Sequence, residues 1–218
     1  MADSIRNGMK KVYLYTRFER FWHWFQGLLI VVLAVTGFEI HGSFSLLGFE
    51  KAVEVHEFCA WTWLGLYVFI VFWLLTTGEW KQYVPTTKKI CEVAMYYVSG
   101  IFLGEPHPVP KTQRAKHNPL QRLTYMSISA LLIPFQIVTG IAYLYYNDWA
   151  ALGLTGLSLE TVALLHTIGA FAFLSFIVVH VYMTTTGHTA SAHIIAMFTG
   201  WEEVEDPEAI PAWERKNT

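Results

Sequence analysis

Four stretches of this chain, residues 21–40, 56–77, 123–146 and 161–186, each run close to the ~20 apolar residues that a bilayer requires of a spanning helix. In hydrocarbon no water satisfies a backbone N–H or C=O, so each stretch must bond within itself, and the α-helix is the form that does so. Composition agrees, with 54% hydrophobic and 15% charged residues against about 25% charged in soluble domains. The predicted fold class is all-α: one membrane domain over residues 1–218, a four-helix transmembrane bundle with a connection at 78–122 and a tail at 187–218. The first segment carries His23 and lacks an A-x-A-like cleavage site, so it is expected to be retained rather than removed as a signal peptide.

Orientation follows from Lys and Arg. Arg6, Lys10, Lys11, Arg17 and Arg20 precede the first segment, and Lys81, Lys88, Lys89, Lys111, Arg114, Lys116 and Arg122 lie in the central connection, whereas the other two connections hold only Lys51. Both ends and the central connection are therefore expected on the cytoplasmic side of the membrane. Cys59 then lies near the outer face and Cys91 in the cytoplasmic connection, too far apart to pair. Membrane lipid is an expected partner; nucleic acid is not.

The connection divides into an amphipathic part, residues 81–100, expected to lie along the membrane interface, and a part broken by Pro106, Pro108 and Pro110. The tail is acidic, with Glu202, Glu203, Glu205, Asp206 and Glu208, and reads as a solvated end or a partner contact. Pro134 is expected to kink the third segment and free the carbonyl of Ala130, with neighbouring helices or side chains such as Gln136 able to satisfy the freed groups.

Within the last segment His166 and His180 stand fourteen residues apart, nearly four helical turns and roughly 21 Å, so both imidazoles face one side at opposite depths. The chain also repeats weakly. Arg20 leads to Val35-Thr36-Gly37 as Arg122 leads to Val138-Thr139-Gly140, and His56 leads to Thr76-Thr77-Gly78 as His166 leads to Thr185-Thr186-Gly187. Fourteen residues after His56 stands Ile70, so the second segment offers one histidine, and His23 in the first segment makes four.

Depth sorts them into an inner pair, His23 with His180, and an outer pair, His56 with His166. Intramembrane histidines are costly without a use, and two neutral imidazoles at one level suit the axial positions of haem iron, whereas zinc would gather all four. No C-x-x-C-H attachment motif is present, so two haem b groups held by ligands alone are expected. Gly27, Gly65 and Gly169 are candidate points of close approach for the macrocycles. His41, His107, His188 and His193 are assigned no haem.

These residues carry a resemblance. Arg20-Phe-Trp-His23-Trp24, His56, Gly78-Glu-Trp80, His117-Asn118-Pro119-Leu120 and the pair His166 and His180 are similar to the di-haem cytochrome b membrane subunits of nickel-iron hydrogenases, formate dehydrogenases and thiosulfate reductases. The resemblance runs from about Tyr13 to Trp201. It implies a quinone-reactive subunit of a respiratory oxidoreductase complex, carrying electrons between a periplasmic iron–sulfur or multihaem cytochrome subunit, and through it a catalytic subunit, and menaquinone or ubiquinone at the cytoplasmic side. The chain itself then has no catalytic residues in the hydrolytic or group-transfer sense.

Under that resemblance His117, Asn118, Arg122 and Tyr125, with Arg17 and Arg20, are candidates for the quinone pocket or for haem propionates. Asn118 before Pro119 also reads as a helix cap, and the arginines as lipid contacts. Electrons moving inward oppose the membrane potential at ~2.3 kcal/mol per charge per 100 mV, which a strongly reducing donor would overcome. Two alternatives remain open at this point: a stand-alone b561-type superoxide:quinone oxidoreductase, which shares the same helical core, and a haem-free membrane anchor.

Overall fold

A computed structural model describes residues 10–109, 116–187 and 189–204. Lys111, Arg114, Pro110, His188, Arg6 and the acidic residues Glu205, Asp206 and Glu208 lie outside the described residues. The four spans are helices: α1 (Arg17–Ile40), α2 (Phe49–Thr77), α4 (Pro119–Leu144) and α5 (Leu159–Thr184), all long and apolar enough to cross a membrane. A short helix α3 (Ile90–Val98) lies between α2 and α4, and α6 (Ala192–Thr199) follows α5. Two short strands, β1 (Lys10–Tyr13) and β2 (Trp201–Val204), and 3-10 turns at Glu79–Tyr83, Gly100–Leu103 and Tyr146–Asp148 complete the elements among the described residues.

Every spanning helix starts ahead of its apolar stretch, because hydropathy marks only the part in hydrocarbon while the helix continues through polar interfacial turns. In α2 the added turns hold an ion pair between Lys51 and Glu54 at 2.7 Å. At the other end of α5 the hydroxyls of Thr184, Thr185 and Thr186 donate to the carbonyls three residues back, at 2.7, 2.7 and 2.8 Å, as the chain leaves the helix.

The chain divides into two compact units. One comprises Trp22–Trp73 and Ser127–His180. Its core takes Leu29 from α1, Cys59 and Trp63 from α2, Ile133 from α4 and Phe173 from α5, so all four spanning helices share one interior. Trp63 meets Phe173 edge to face at 5.6 Å, and Phe38 meets Phe171 likewise at 5.7 Å. Phe58, Phe72, Leu131, Val138 and Val178 are exposed, an apolar surface of the kind lipid covers.

Within α4 the α-helix gives way to a π-turn at Ile128–Leu132, where the Ile133 amide donates to the Ile128 carbonyl, and Pro134 stands in the first turn of the α-helix that follows. The wider turn is how this helix absorbs a proline in mid-span. The neighbouring helix supports it, as the Tyr67 hydroxyl donates to the Ser129 carbonyl at 2.8 Å. That differs from the expectation for Gln136, whose amide is turned to His166.

The other unit comprises the described parts of Met1–Phe21, Leu74–Met126 and Val181–Thr218. Strands β1 and β2 pair antiparallel, with Lys10 opposite Val204 and Tyr13 opposite Trp201. Gly200 turns the chain from α6 into β2 at φ 86°, and a Cβ there would stand 2.5 Å from the Tyr13 ring and 2.7 Å from the Tyr15 carbonyl oxygen. Only glycine fits. In α3 Val93 is buried while Met95 and Val98 are exposed, and Phe102 and Leu103 beyond it are exposed too.

The tail corrects the expectation of a solvated end as far as Val204. It is folded there, Glu202 is buried, and its Oε1 lies 2.9 Å from His193 Nδ1. The run Trp-Glu-Glu-Val in Trp201–Val204 does not alternate apolar and polar residues and so does not announce a strand, and its partner lies near the opposite end of the sequence.

Candidate functional site

The first compact unit places the four spanning histidines in two facing couples. His23 of α1 and His180 of α5 have ring centres 6.0 Å apart, and His56 of α2 and His166 of α5 have ring centres 6.4 Å apart. The couples share α5 because fourteen residues bring a helix back to nearly the same face. A metal–imidazole bond of about 2 Å, with the ring centre about 1 Å behind the nitrogen, sets two rings that flank one metal ion about 6 Å apart. Both couples fit that spacing. Among the described residues no three His, Cys, Asp or Glu side chains gather into a metal cluster, so the imidazoles stand in twos.

The couples differ in what holds them. The Thr36 hydroxyl donates to the Val32 carbonyl at 2.8 Å, which spends its proton, and its oxygen stands 2.9 Å from His56 Nδ1. Thr139 repeats this on the other hairpin, donating to the Phe135 carbonyl at 2.8 Å and lying 3.1 Å from His166 Nδ1. Each oxygen can only accept, so Nδ1 carries the proton and Nε2 keeps its lone pair.

The glycines after the threonines lie against the rings. A Cβ on Gly140 would crowd His166 Cε1 at 3.1 Å, whereas one on Gly37 would meet His56 Cε1 at an ordinary 3.5 Å, so the need for glycine is at Gly140. In the other couple His23 Nδ1 is buried without a hydrogen-bond partner among the described residues. Aromatic rings flank that couple instead, Trp24 edge-on to His23 at 5.2 Å and Phe176 stacked on His180 at 5.4 Å.

The candidate glycines divide. A Cβ at Gly27 or Gly65 would meet no atom within 4 Å, leaving room beside the helix for a bulky group. At Gly169 it would stand 2.0 Å from Gln136 Oε1, so that glycine makes way for the Gln136 side chain rather than for a macrocycle. Near the His56–His166 couple, His41 Nε2 lies 2.7 Å from the Thr167 hydroxyl and the Tyr143 ring lies 6.4 Å from His166.

The second compact unit gathers most of the other candidates. The rings of Tyr83 and His117 are 5.0 Å apart, those of His117 and Tyr125 are 5.1 Å apart, and Arg122 Nε donates to the His117 carbonyl at 3.0 Å. Asn118 is a cap: its Oδ1 accepts from the Gln121 amide at 2.9 Å while Gln121 Oε1 accepts from the Asn118 amide at 3.0 Å. Its Nδ2 donates to the Tyr97 hydroxyl at 2.9 Å. Arg20 Nη1 donates to the Phe198 carbonyl, and Arg17 is exposed at the start of α1.

Three tyrosines in this unit stay protonated well past neutrality. Burial pushes Tyr15 and Tyr83 up, with Glu202 next in effect on Tyr15 and Glu19 next on Tyr83. Burial likewise pushes Tyr97 up to about 12. Sequence reasoning missed Tyr83, which joins the ring cluster from the turn Glu79–Tyr83 while His117 stands just ahead of α4, and it missed Thr36 and Thr139. For the threonines the signal was present in the repeated Val-Thr-Gly.

A family described as prokaryotic cytochrome b561 matches residues 14–200 of the chain. "Putative cytochrome YdhU" of Escherichia coli (strain K12) is 32% identical over 202 residues, covering 88% of this chain and 75% of that protein. Two proteins named "Probable Ni/Fe-hydrogenase B-type cytochrome subunit" also match. The one from Rhodobacter capsulatus is 25% identical over 83% of this chain and 76% of its own length, and the one from Azotobacter chroococcum is 28% identical over 89% and 90%. No solved structure matches.

Proposed function

The chain belongs to the prokaryotic cytochrome b561 family, and from that footing we propose that it is a di-haem subunit passing electrons between a periplasmic redox partner and quinone at the cytoplasmic side. Membership makes it a multi-pass membrane electron-transfer cytochrome with b-type haem. The finer reading is carried by one observation: two imidazole couples, 6.0 and 6.4 Å between ring centres, built on two histidines of α5.

In this reading His23 and His180 hold one haem and His56 and His166 the other. Bound haem supplies reversible one-electron chemistry, its potential set by axial ligands and surroundings. Held by two histidines each, the haems would supply electron transfer rather than oxygen binding. Lys and Arg are concentrated before α1 and between α2 and α4, which supports a cytoplasmic location for those segments and for the His23–His180 level.

Quinone would bind at Tyr83, His117 and Tyr125. A phenol kept neutral by burial, as at Tyr83, donates a hydrogen bond to a carbonyl, and a nearby imidazole can relay a proton. The relatives named as Ni/Fe-hydrogenase cytochrome subunits support association with a catalytic complex, and in this reading the chain that meets the haems is a periplasmic iron–sulfur or multihaem subunit.

The test is a pyridine haemochrome assay on the detergent-purified chain, with reduced-minus-oxidised spectra under menaquinol. Two b haems per chain, at least one reduced by the quinol, are expected. One haem, none, or two that ignore quinol would overturn the proposal, and a chain that reduces quinone from superoxide without any partner would replace it.

A further inference from the structure

We infer that Thr36 and Thr139 are positioning residues for the His56–His166 centre, fixing both ligands as the Nδ1–H tautomer and lowering the reduction potential of that centre alone. The inference rests on the proposed axial ligation.

The hydroxyls lie 2.9 and 3.1 Å from the two Nδ1 atoms, and each has already given its proton to a carbonyl of its own helix. Both side chains are buried, at 1% and 8% exposure, so water does not compete for the imidazole N–H. An N–H that donates shifts electron density to the opposite nitrogen, making it the stronger donor to iron and favouring the oxidised state.

Each imidazole also has a backbone acceptor, the Leu33 carbonyl for His56 and the Gln136 carbonyl for His166, which favours the same tautomer, whereas the Gln136 side-chain amide does not. Gln136 Nε2 lies 3.2 Å from both ring nitrogens and 3.2 Å from the His166 carbonyl. An amide N–H cannot accept from Nδ1–H, so the carbonyl is the acceptor left to it. His41 approaches Thr167, not the His166 ring nitrogens.

The other couple has no such support, since His23 Nδ1 is buried without a partner among the described residues. The two centres thus differ by a device repeated on two hairpins, a threonine that accepts from the imidazole, with Gly140 on the second hairpin also giving the His166 ring its room. The Val-Thr-Gly repeat has this physical content.

The experiment compares wild type, Thr36→Val, Thr139→Val and the two Thr→Ser variants in the full-length chain. Haem per chain is counted first, and then redox titrations follow the haem bands while electron paramagnetic resonance reads the oxidised low-spin signals. In the Val variants one midpoint potential is expected to rise and one low-spin signal to shift, with the other centre unmoved and Ser restoring wild-type values.

Loss of one haem in the Val variants with retention in the Ser variants supports the same conclusion. Two haems with both potentials unmoved, both potentials moved alike, or Ser variants behaving as Val would each overturn it. Failure of the underlying ligation looks different: wild type without two haems, or His56→Ala and His166→Ala retaining both.

Discussion

Lys116 Nζ lies 2.7 Å from Glu19 Oε1, and the two side chains are only 8% and 18% exposed. The pair joins residues 97 positions apart in the sequence, and Glu79 Oε2 lies 3.9 Å from the same nitrogen. Removing one member leaves a charge withdrawn from water without its partner, so Lys116→Ala should cost about 3 kcal/mol, while Lys116→Met with Glu19→Gln should cost clearly less. Thermal unfolding in detergent separates the two, and equal losses would show the pair to be unimportant.

Single ligand changes should divide the haem content. His166→Ala and His56→Ala are expected to lower haem from two to one per chain and to remove the same spectral component. His180→Ala and His23→Ala should remove the other. Overlapping losses between the two sets would reject the pairing.

Gly200→Ala should destabilise the sheet, because the new Cβ meets the Tyr13 ring and the Tyr15 carbonyl oxygen at a φ of 86°. Strain of this kind costs of order 1–3 kcal/mol. Faster proteolysis within residues 201–204, with haem content unchanged, is the expected result.

Tyr97 gives the protein a weakness in alkali. An ordinary phenol ionises near 10, and burial pushes this one up to about 12, so between those values the unfolded chain has released a proton that the folded one retains. Its contribution is intact below about pH 10 and declines toward pH 12, by up to ~1.4 kcal/mol per pH unit. Tyr97→Phe should flatten that decline in denaturation curves, and an unchanged slope would assign it to other groups.

Tyr83→Phe should slow haem reduction by menaquinol by about 10² while haem content and both potentials stay put, if the phenol serves the quinone. Stopped-flow reduction reads this directly. An unchanged rate would place quinone elsewhere.

The spanning helices and the histidine ladder were legible because hydrocarbon imposes length and forbids unpaid polar groups, so each leaves a mark in the sequence by itself. His166 and His180 need only helical arithmetic to share a face. The Asn118 cap was equally local, its partner Gln121 lying three residues away. What escaped were contacts between distant positions, such as Tyr83 against His117, Thr36 against His56 and Trp201 against Tyr13. The π-turn escaped for another reason. Pro134 announces that a helix must adjust, but not that the adjustment is a widened turn, whose Ser129 carbonyl is met by Tyr67 from a helix distant in sequence.

The pairing of Lys10–Tyr13 with Trp201–Val204 also sets a schedule. A ribosome adding about 5–20 residues per second needs roughly 10 to 40 s to travel from the first strand to the second. Throughout that interval β1 has no strand to join, while the intervening helices can already enter the membrane. The sheet is thus a closing stitch, and an emerging chain halted before Val204 would be left with a loose edge that a protease can recognise.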